Sequence, residues 1–163
     1  MDFYEASYTI FTEIRSAITP LIGTPQAAVH TGNGADGTPT KYIDKIAEDI
    51  AISVIKKEQL CHLLISEEAG KVIIGGDTGT IFLDPVDGTY NALMNIPFFA
   101  VSLAYVKDGV LKEGFVGNLS NGDIFTAKRG EGSWLNGVPL HVSDVSELQA
   151  SAMSVYGKHF QYD

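Results

Sequence analysis

The chain has 163 residues, of which 45% are hydrophobic and 19% are charged, a composition typical of a folded domain and not of a disordered segment. The formal net charge of −9 argues against binding to nucleic acid or to an anionic membrane surface. No apolar run reaches the roughly 18 residues of a membrane span, residues 1–11 lack the pattern of a signal peptide, and a single cysteine excludes an internal disulfide. We therefore expect a cytoplasmic protein.

Apolar residues recur at three- and four-residue steps in two segments, which predicts amphipathic helices over residues 2–22 and about 40–57. Between them, residues 24–39 are rich in Gly, Thr and Pro, and this composition predicts a long loop. Thr38 or Thr40 is a suitable cap for the second helix. The acidic residues of that helix lie off its predicted apolar stripe: Asp44, Glu48 and Asp49.

From residue 60 onward the pattern changes to short apolar runs, and several of these are separated by Asp-Gly or Asn-Gly, the strongest short-range signals for hairpins. Residues 71–79 resemble a loop or a hairpin. The predicted strands are 60–66, 80–83, 98–106, 110–117, 123–128, 133–135 and 139–142. The pattern therefore predicts an α+β fold in which two amphipathic helices pack on a mostly antiparallel sheet.

The stretch DPVDGTYN (84–91) carries the most chemistry, because it places two carboxylates three residues apart where a strand ends. Pro85 stiffens this turn, ends the strand ladder and leaves the Val86 carbonyl free to point inward. Asp84, Asp87 and that carbonyl form an oxygen-rich cluster of the kind that a hard cation such as Mg²⁺ prefers.

Backbone N–H groups at Gly88 and Thr89 follow directly and predict an anion site. Cation ligands beside an anion site are what metal-assisted phosphoryl transfer requires. On composition alone, an Asp-Pro turn before a capped helix is the commoner meaning of such a stretch. Glu67 and Glu68 favour a site, because strands that end at one side of a sheet can bring Glu67 beside Asp84.

Several stretches, in order and across nearly the whole chain, resemble the inositol monophosphatase family, which includes archaeal members that also act on fructose 1,6-bisphosphate: GADGTPTKYIDKIAED (34–49), ISEE (65–68), FLDPVDGTYNAL (82–93), IPFFAVSLA (96–104) and GDIFTAKRGEGSWLNGVPLHVS (122–143). The resemblance implies that residues 1–163 form the N-terminal metal- and phosphate-binding domain of the layered αβαβα sugar-phosphatase fold. It also implies Mg²⁺-dependent hydrolysis of small phosphorylated sugars or polyols, such as inositol 1-phosphate or fructose 1,6-bisphosphate, by a metal-activated water.

The resemblance further implies a role for individual residues. The implied metal ligands are Glu67, Asp84, Asp87 and the Val86 carbonyl. The amides of Gly88 and Thr89 would hold phosphate, Asp44 and Thr89 would position the attacking water beside Glu67, and Asp36 in the loop would approach a third metal. Two or three Mg²⁺ ions are expected per site, with Mn²⁺ as a substitute and Ca²⁺ or Li⁺ as inhibitors.

One part of the family pattern is missing. In the family, the second half of the chain contains a Trp-Asp motif whose Asp is a further metal ligand. The only tryptophan here, Trp134, is followed by Leu135. We therefore expect that the C-terminal domain is absent from this chain and that the chain alone is weakly active or inactive. We also expect one sheet face to be uncovered, which favours a homodimer or another association through that face.

Three alternatives remain open at this point. A 3′(2′),5′-bisphosphate nucleotidase or an NADP phosphatase would share the Asp-Pro-x-Asp-Gly-Thr core. A non-catalytic module would bind metal or a partner without cleaving an ester. A purely structural domain would bind no cation.

Overall fold

The computed structural model describes residues 1–35, 37–76 and 79–153, and it confirms the predicted α+β class. Within these residues the helices are α1 (Phe3–Ile18), α2 (Tyr42–Glu58) and α3 (Thr89–Leu93), with 3-10 turns at Thr19–Leu21 and Leu148–Ala150. The strands are β1 (His30–Asn33), β2 (Pro39–Lys41), β3 (Leu63–Ser66), β4 (Gly70–Ile73), β5 (Thr80–Asp87), β6 (Ala100–Lys107), β7 (Val110–Asn118), β8 (Ile124–Lys128), β9 (Gly132–Leu135) and β10 (Val138–Pro139). No helix in the described part of the chain combines the length and apolar character needed to cross a bilayer.

Eight strands form one sheet in the order β10-β9-β8-β7-β6-β5-β3-β4, while β1 and β2 pair separately as a small hairpin. All neighbours in the large sheet are antiparallel except β3 and β5, which run parallel. The carboxyl ends of β3 and β5 therefore lie at the same edge of the sheet, and this edge is where the candidate site forms.

The helices α1 and α2 cover one face of the sheet. Asp2 caps α1: its side chain accepts a hydrogen bond from the Glu5 amide at 2.9 Å, and the Glu5 carboxylate accepts one from the Asp2 amide at 3.0 Å. The apolar stripe of each helix then packs against alternate residues of the strands. The fully buried side chains of this core include Ile10, Ile14, Ile43, Ile55, Leu64, Ile81, Val101 and Phe115.

Several predicted boundaries were wrong. The helix predicted over 2–22 ends at Ile18, and the predicted loop 24–39 contains β1 and the start of β2. Pro85 does not end β5, because the register shifts between Asp84 and Asp87 and this irregularity accommodates a residue without an N–H donor. The strand predicted over 139–142 is reduced to the two-residue β10.

On the opposite face of the sheet, several apolar side chains of the described strands are exposed to solvent. Phe82 lies between Ile65 and Ala104 in the strand register, and Val116 lies beside Phe125. Phe82 is 44% exposed, and Val116 and Phe125 are each 39% exposed. We call Ile65, Phe82, Ala104, Val116 and Phe125 the open face.

Two glycines of β7 test how closely α1 packs on the sheet. A Cβ at Gly117 would lie 2.4 Å from a ring carbon of Phe11, whereas a Cβ at Gly114 would meet nothing within 4 Å. We expect Gly117→Ala to lower the free energy of unfolding by about 1–3 kcal/mol, because α1 must shift to admit the methyl group. Gly114→Ala is the matched control and should stay within about 0.5 kcal/mol of the wild type. Equal stabilities of the two variants in urea denaturation would contradict this account.

Candidate metal and phosphate site

The candidate site lies where β3 and β5 end side by side. Ser66 pairs with Leu83 in the parallel register, and the Glu67 amide donates to the Leu83 carbonyl at 3.2 Å. Glu67 therefore follows β3 at the level where Asp84 extends β5. The structure brings these two residues together, as the argument from strand ends predicted.

Glu67 and Asp84 touch through their carboxyl groups. Burial, the charges of Glu67 and Asp87 and a hydrogen bond with Glu67 together raise the pKa of Asp84 from 3.8 to about 8, and burial is the largest of these causes. Two carboxylates this close repel each other when both are ionised, and this repulsion favours the neutral form of Asp84. A divalent cation relieves the same repulsion, because it attracts both groups at once.

The donor atoms of this cluster are all oxygens, which suits a hard cation. Asp87 is exposed at the lip of the site, while Val86 is buried and its carbonyl oxygen lies 3.1 Å from the Thr89 hydroxyl oxygen. No group of three His, Cys, Asp or Glu side chains within the described ranges surrounds a single point as a ready-made cage. Metal binding by Glu67, Asp84, Asp87 and the Val86 carbonyl therefore stays a prediction.

A shallow cavity of about 380 Å³ adjoins this carboxylate pair. Its walls include Glu67, Asp84 and Ser102 together with apolar residues of the open face, among them Ile65 and Phe82. A small molecule in this cavity would meet carboxylates at one end and apolar side chains at the other. The described residues thus offer room for a substrate next to the proposed ligands.

Gly88 makes the turn from β5 into α3 possible. Its φ angle is 93°, a left-handed conformation that favours glycine, and a Cβ there would lie 2.9 Å from the Phe98 carbonyl oxygen. The helix α3 has only five residues, and its cap residue Gly88 has no side chain to satisfy the first amides. Phosphate binding by the Gly88 and Thr89 amides stays a prediction, and it would depend on those individual N–H groups.

Asp44 and Thr89 form the predicted pair. The Thr89 hydroxyl donates to Asp44 Oδ1 at 2.8 Å, and the Lys41 amide donates to Asp44 Oδ2 at 3.2 Å. The N-cap residue of α2 is Lys41, so the prediction of Thr38 or Thr40 was wrong, and Asp44 in the first turn satisfies the Lys41 amide. Burial raises the pKa of Asp44 from 3.8 to about 6, although the hydrogen bonds from Thr89 and Lys41 lower it.

The prediction that Asp44 and Glu48 lie off the buried stripe of α2 was also wrong, since each is only 4% exposed. Glu48 accepts a hydrogen bond from the Ser66 hydroxyl at 2.6 Å and from the Ala69 amide at 2.7 Å. Sequence reasoning missed this role. The available signal was the four-residue spacing from Asp44, which places both carboxylates on one side of a helix.

Glu68 points to a different partner from that of Glu67. The Thr40 hydroxyl donates to the Glu68 carboxylate, and the Glu68 carbonyl accepts a hydrogen bond from the Ala35 amide at 2.9 Å. Glu68 therefore ties the β1–β2 hairpin to the site. Asp36, the predicted ligand of a third metal, falls outside the described residues.

The buried Asp44 predicts a pH dependence of stability. Its folded pKa of about 6 exceeds the ordinary value of 3.8, so the folded state holds a proton that the unfolded state releases. Stability from this group is complete below about pH 4 and is lost as the pH rises through about 6. Relative to Asp44→Asn, the wild type should lose about 1–3 kcal/mol over this window.

Urea denaturation at several pH values in the presence of EDTA measures this difference. Asp49→Asn is the control, because it removes an exposed carboxylate from the same helix, and its stability should follow that of the wild type. A pH-independent difference between Asp44→Asn and the wild type would show that burial does not perturb Asp44.

A model of the inositol monophosphatase family matches residues 2–162. The fructose-1,6-bisphosphatase/inositol-1-monophosphatase of Methanothermobacter thermautotrophicus is 38% identical, over 91% of this chain and 59% of that relative. The bifunctional NADP phosphatase/NAD kinase of Methanocaldococcus jannaschii is 33% identical, over 96% of this chain and 33% of that relative. The crystal structure of the MJ0109 gene product, an inositol monophosphatase-fructose 1,6 bisphosphatase, has a TM-score of 0.82 at 30% identity, over 89% of this chain and 56% of that one. The chain spans at most about three fifths of the length of these proteins. The match over residues 2–162 shows that the chain belongs to the inositol monophosphatase family.

Proposed function

We propose that this chain carries the metal- and phosphate-binding residues of a phosphoric monoester hydrolase that uses Mg²⁺ and acts on a small phosphorylated sugar or polyol. The observation that carries the proposal is the contact between Glu67 and Asp84, two acids held together beside the Asp44–Thr89 pair. Such a contact is costly without a cation, and perturbed acids of this kind cluster at functional sites.

The metal ligands in this proposal are Glu67, Asp84, Asp87 and the Val86 carbonyl. Bound Mg²⁺ would neutralise the phosphate, lower the pKa of a water and stabilise the leaving alkoxide. Two or three ions are proposed, with Mn²⁺ as a substitute and Ca²⁺ or Li⁺ as inhibitors. The amides of Gly88 and Thr89 would orient the phosphate group.

The proposed proton path uses Thr89 and Asp44. Because the Thr89 hydroxyl donates to Asp44, its oxygen keeps lone pairs that can accept a hydrogen bond from a water. A proton passed through Thr89 would come to rest on Asp44. The pKa of Asp44, about 6, lies near neutral pH, where a general base works best.

Two substrate classes follow from the relatives. The names of several relatives at 37–38% identity pair fructose 1,6-bisphosphatase with inositol-1-monophosphatase activity, which supports sugar and polyol phosphates. The second candidate is NADP, because two relatives at 33% and 35% identity carry NADP phosphatase in their names. Inositol 1-phosphate, fructose 1,6-bisphosphate and NADP, tested side by side on a chain of the relatives' full length, distinguish the two classes.

Removal of one proposed ligand provides the direct test. We expect the wild-type chain to bind Mn²⁺ in a calorimetric titration, and we expect Asp84→Asn to weaken this binding at least about tenfold, because a neutral amide replaces a charged ligand. The matched control is Asp108→Asn, which makes the same charge change in the turn between β6 and β7, where φ is 54° and Asn is tolerated. Equal Mn²⁺ affinity of Asp84→Asn and the wild type would reject the site.

We also propose that the open face mediates association, either between two copies of the chain or with further sequence of the same fold. Large exposed apolar patches mark interaction surfaces. The double variant Val116→Thr, Phe125→Thr should self-associate less than the wild type in light scattering. The control is Val142→Thr, a change at a side chain that is 94% exposed and lies outside the sheet. A wild type that stays monomeric at high concentration would contradict association between copies.

A further inference from the structure

Glu48 is a buried carboxylate that the proposed chemistry does not use. It is 4% exposed, and its Oε1 atom accepts hydrogen bonds from the Ser66 hydroxyl and the Ala69 amide. We propose that Glu48 is a positioning residue, which fixes the turn over residues 66–69 and so holds Glu67 toward the metal site. This inference rests on the proposed function, because it assigns Glu48 a part in the same site.

Glu48 accepts hydrogen bonds from residues on both sides of Glu67 in the sequence. Ser66 immediately precedes Glu67, and Ala69 comes two residues after it, so one oxygen holds the turn at both ends. The Glu67 amide is held separately, by the Leu83 carbonyl of β5. The Ser66 side chain before Glu67 and the Ala69 amide after it are therefore bonded to α2, and the Glu67 amide is bonded to β5.

The alternation of side chains in a strand explains why Glu48 can act on Glu67 without touching it. Ser66 is buried toward α2, so the next residue, Glu67, points to the other side, where the cavity and Asp84 lie. Glu48, on the α2 side of the turn, thus orients Glu67, on the cavity side. A rotation of the turn would move Glu67 away from Asp84.

The chemistry of Glu48 suits positioning. Hydrogen bonds to a charged acceptor are shorter and stronger than neutral ones, and those from Ser66 and Ala69 measure 2.6 and 2.7 Å. Among the residues that the structure describes, no Lys, Arg or His forms an ion pair with Glu48. The burial of this carboxylate is therefore offset by the two donors of the turn.

The helix α2 also couples the two sides of the site. Asp44 lies one helical turn before Glu48 and binds Thr89 beside β5, while Glu48 binds the turn after β3. One rigid helix therefore sets the position of the water-activating pair and that of the metal-ligand turn. Displacement of either carboxylate would change their relative placement.

The experiment compares Glu48→Ala with Asp49→Ala in the full chain. Asp49 is the next residue of the same helix, is exposed and contacts Lys45, so its removal makes the same charge change without touching the turn. Two readouts are used: Mn²⁺ affinity by calorimetry, and amide hydrogen exchange at residues 67–69 in EDTA. Exchange in EDTA reports the turn itself and does not depend on metal.

We expect Glu48→Ala to weaken Mn²⁺ binding by about 10–100-fold, the range seen when an outer-shell partner of a metal ligand is lost. Exchange at residues 67–69 should accelerate at least tenfold, whereas Asp49→Ala should match the wild type in both readouts. Glu48→Gln should restore most of the affinity, because its amide oxygen can still accept both hydrogen bonds. A merely structural role would lower the melting temperature and leave the affinity of the folded protein unchanged.

Three results would overturn the inference: wild-type affinity and exchange in Glu48→Ala, an equal loss in Asp49→Ala, or no recovery in Glu48→Gln. If Glu48→Ala does not fold, Ser66→Ala takes its place. This variant deletes one donor and should weaken Mn²⁺ binding about threefold or more, and an unchanged affinity would refute the inference. A wild type that binds no Mn²⁺ would reject the proposed function, while the exchange data would still decide whether Glu48 fixes the turn.

Discussion

The parallel pairing of β3 with β5 is the constraint on which the candidate site depends. It is the only parallel pairing among the described strands, and it brings Glu67 and Asp84 to the same edge of the sheet. An antiparallel arrangement of the same two strands would place these residues at opposite ends. Burial, together with the resulting contact between the two acids, raises the pKa of Asp84 to about 8, and a proton or a cation between the two acids relieves their repulsion.

The helix α2 places two buried carboxyl groups next to this edge of the sheet. Its carboxylates at Asp44 and Glu48 are each 4% exposed, and both are satisfied by donors from other segments. Burying such groups costs free energy, which the hydrogen bonds only partly return. A site that needs acidic groups at fixed positions is a physical reason for a fold to accept this cost, and buried donors and acceptors hold those positions better than exposed ones.

The family match and the geometry of the site answer different questions: the first concerns the fold, and the second concerns individual residues. The match over residues 2–162 establishes the family and its fold. The geometry shows which acids lie together in this chain and which lie apart, and it separates the adjacent residues Glu67 and Glu68 into one that faces Asp84 and one that ties the β1–β2 hairpin to the site. A cavity of about 380 Å³ between those acids and the open face leaves room for a small molecule.

The sequence by itself determined the two long helices, most strands of the sheet and the acidic stretch 84–91, because these depend on local periodicity and on turn residues. It also indicated the pairing of Asp44 with Thr89, through the family resemblance. Only the tertiary structure decided that Asp44 and Glu48 are buried, since their partners Thr89 and Ser66 lie 45 and 18 residues away. Likewise, Pro85 remains within β5 because β6 accommodates an irregular register there. Burial and register depend on segments that are distant along the chain, and local patterns contain no record of them.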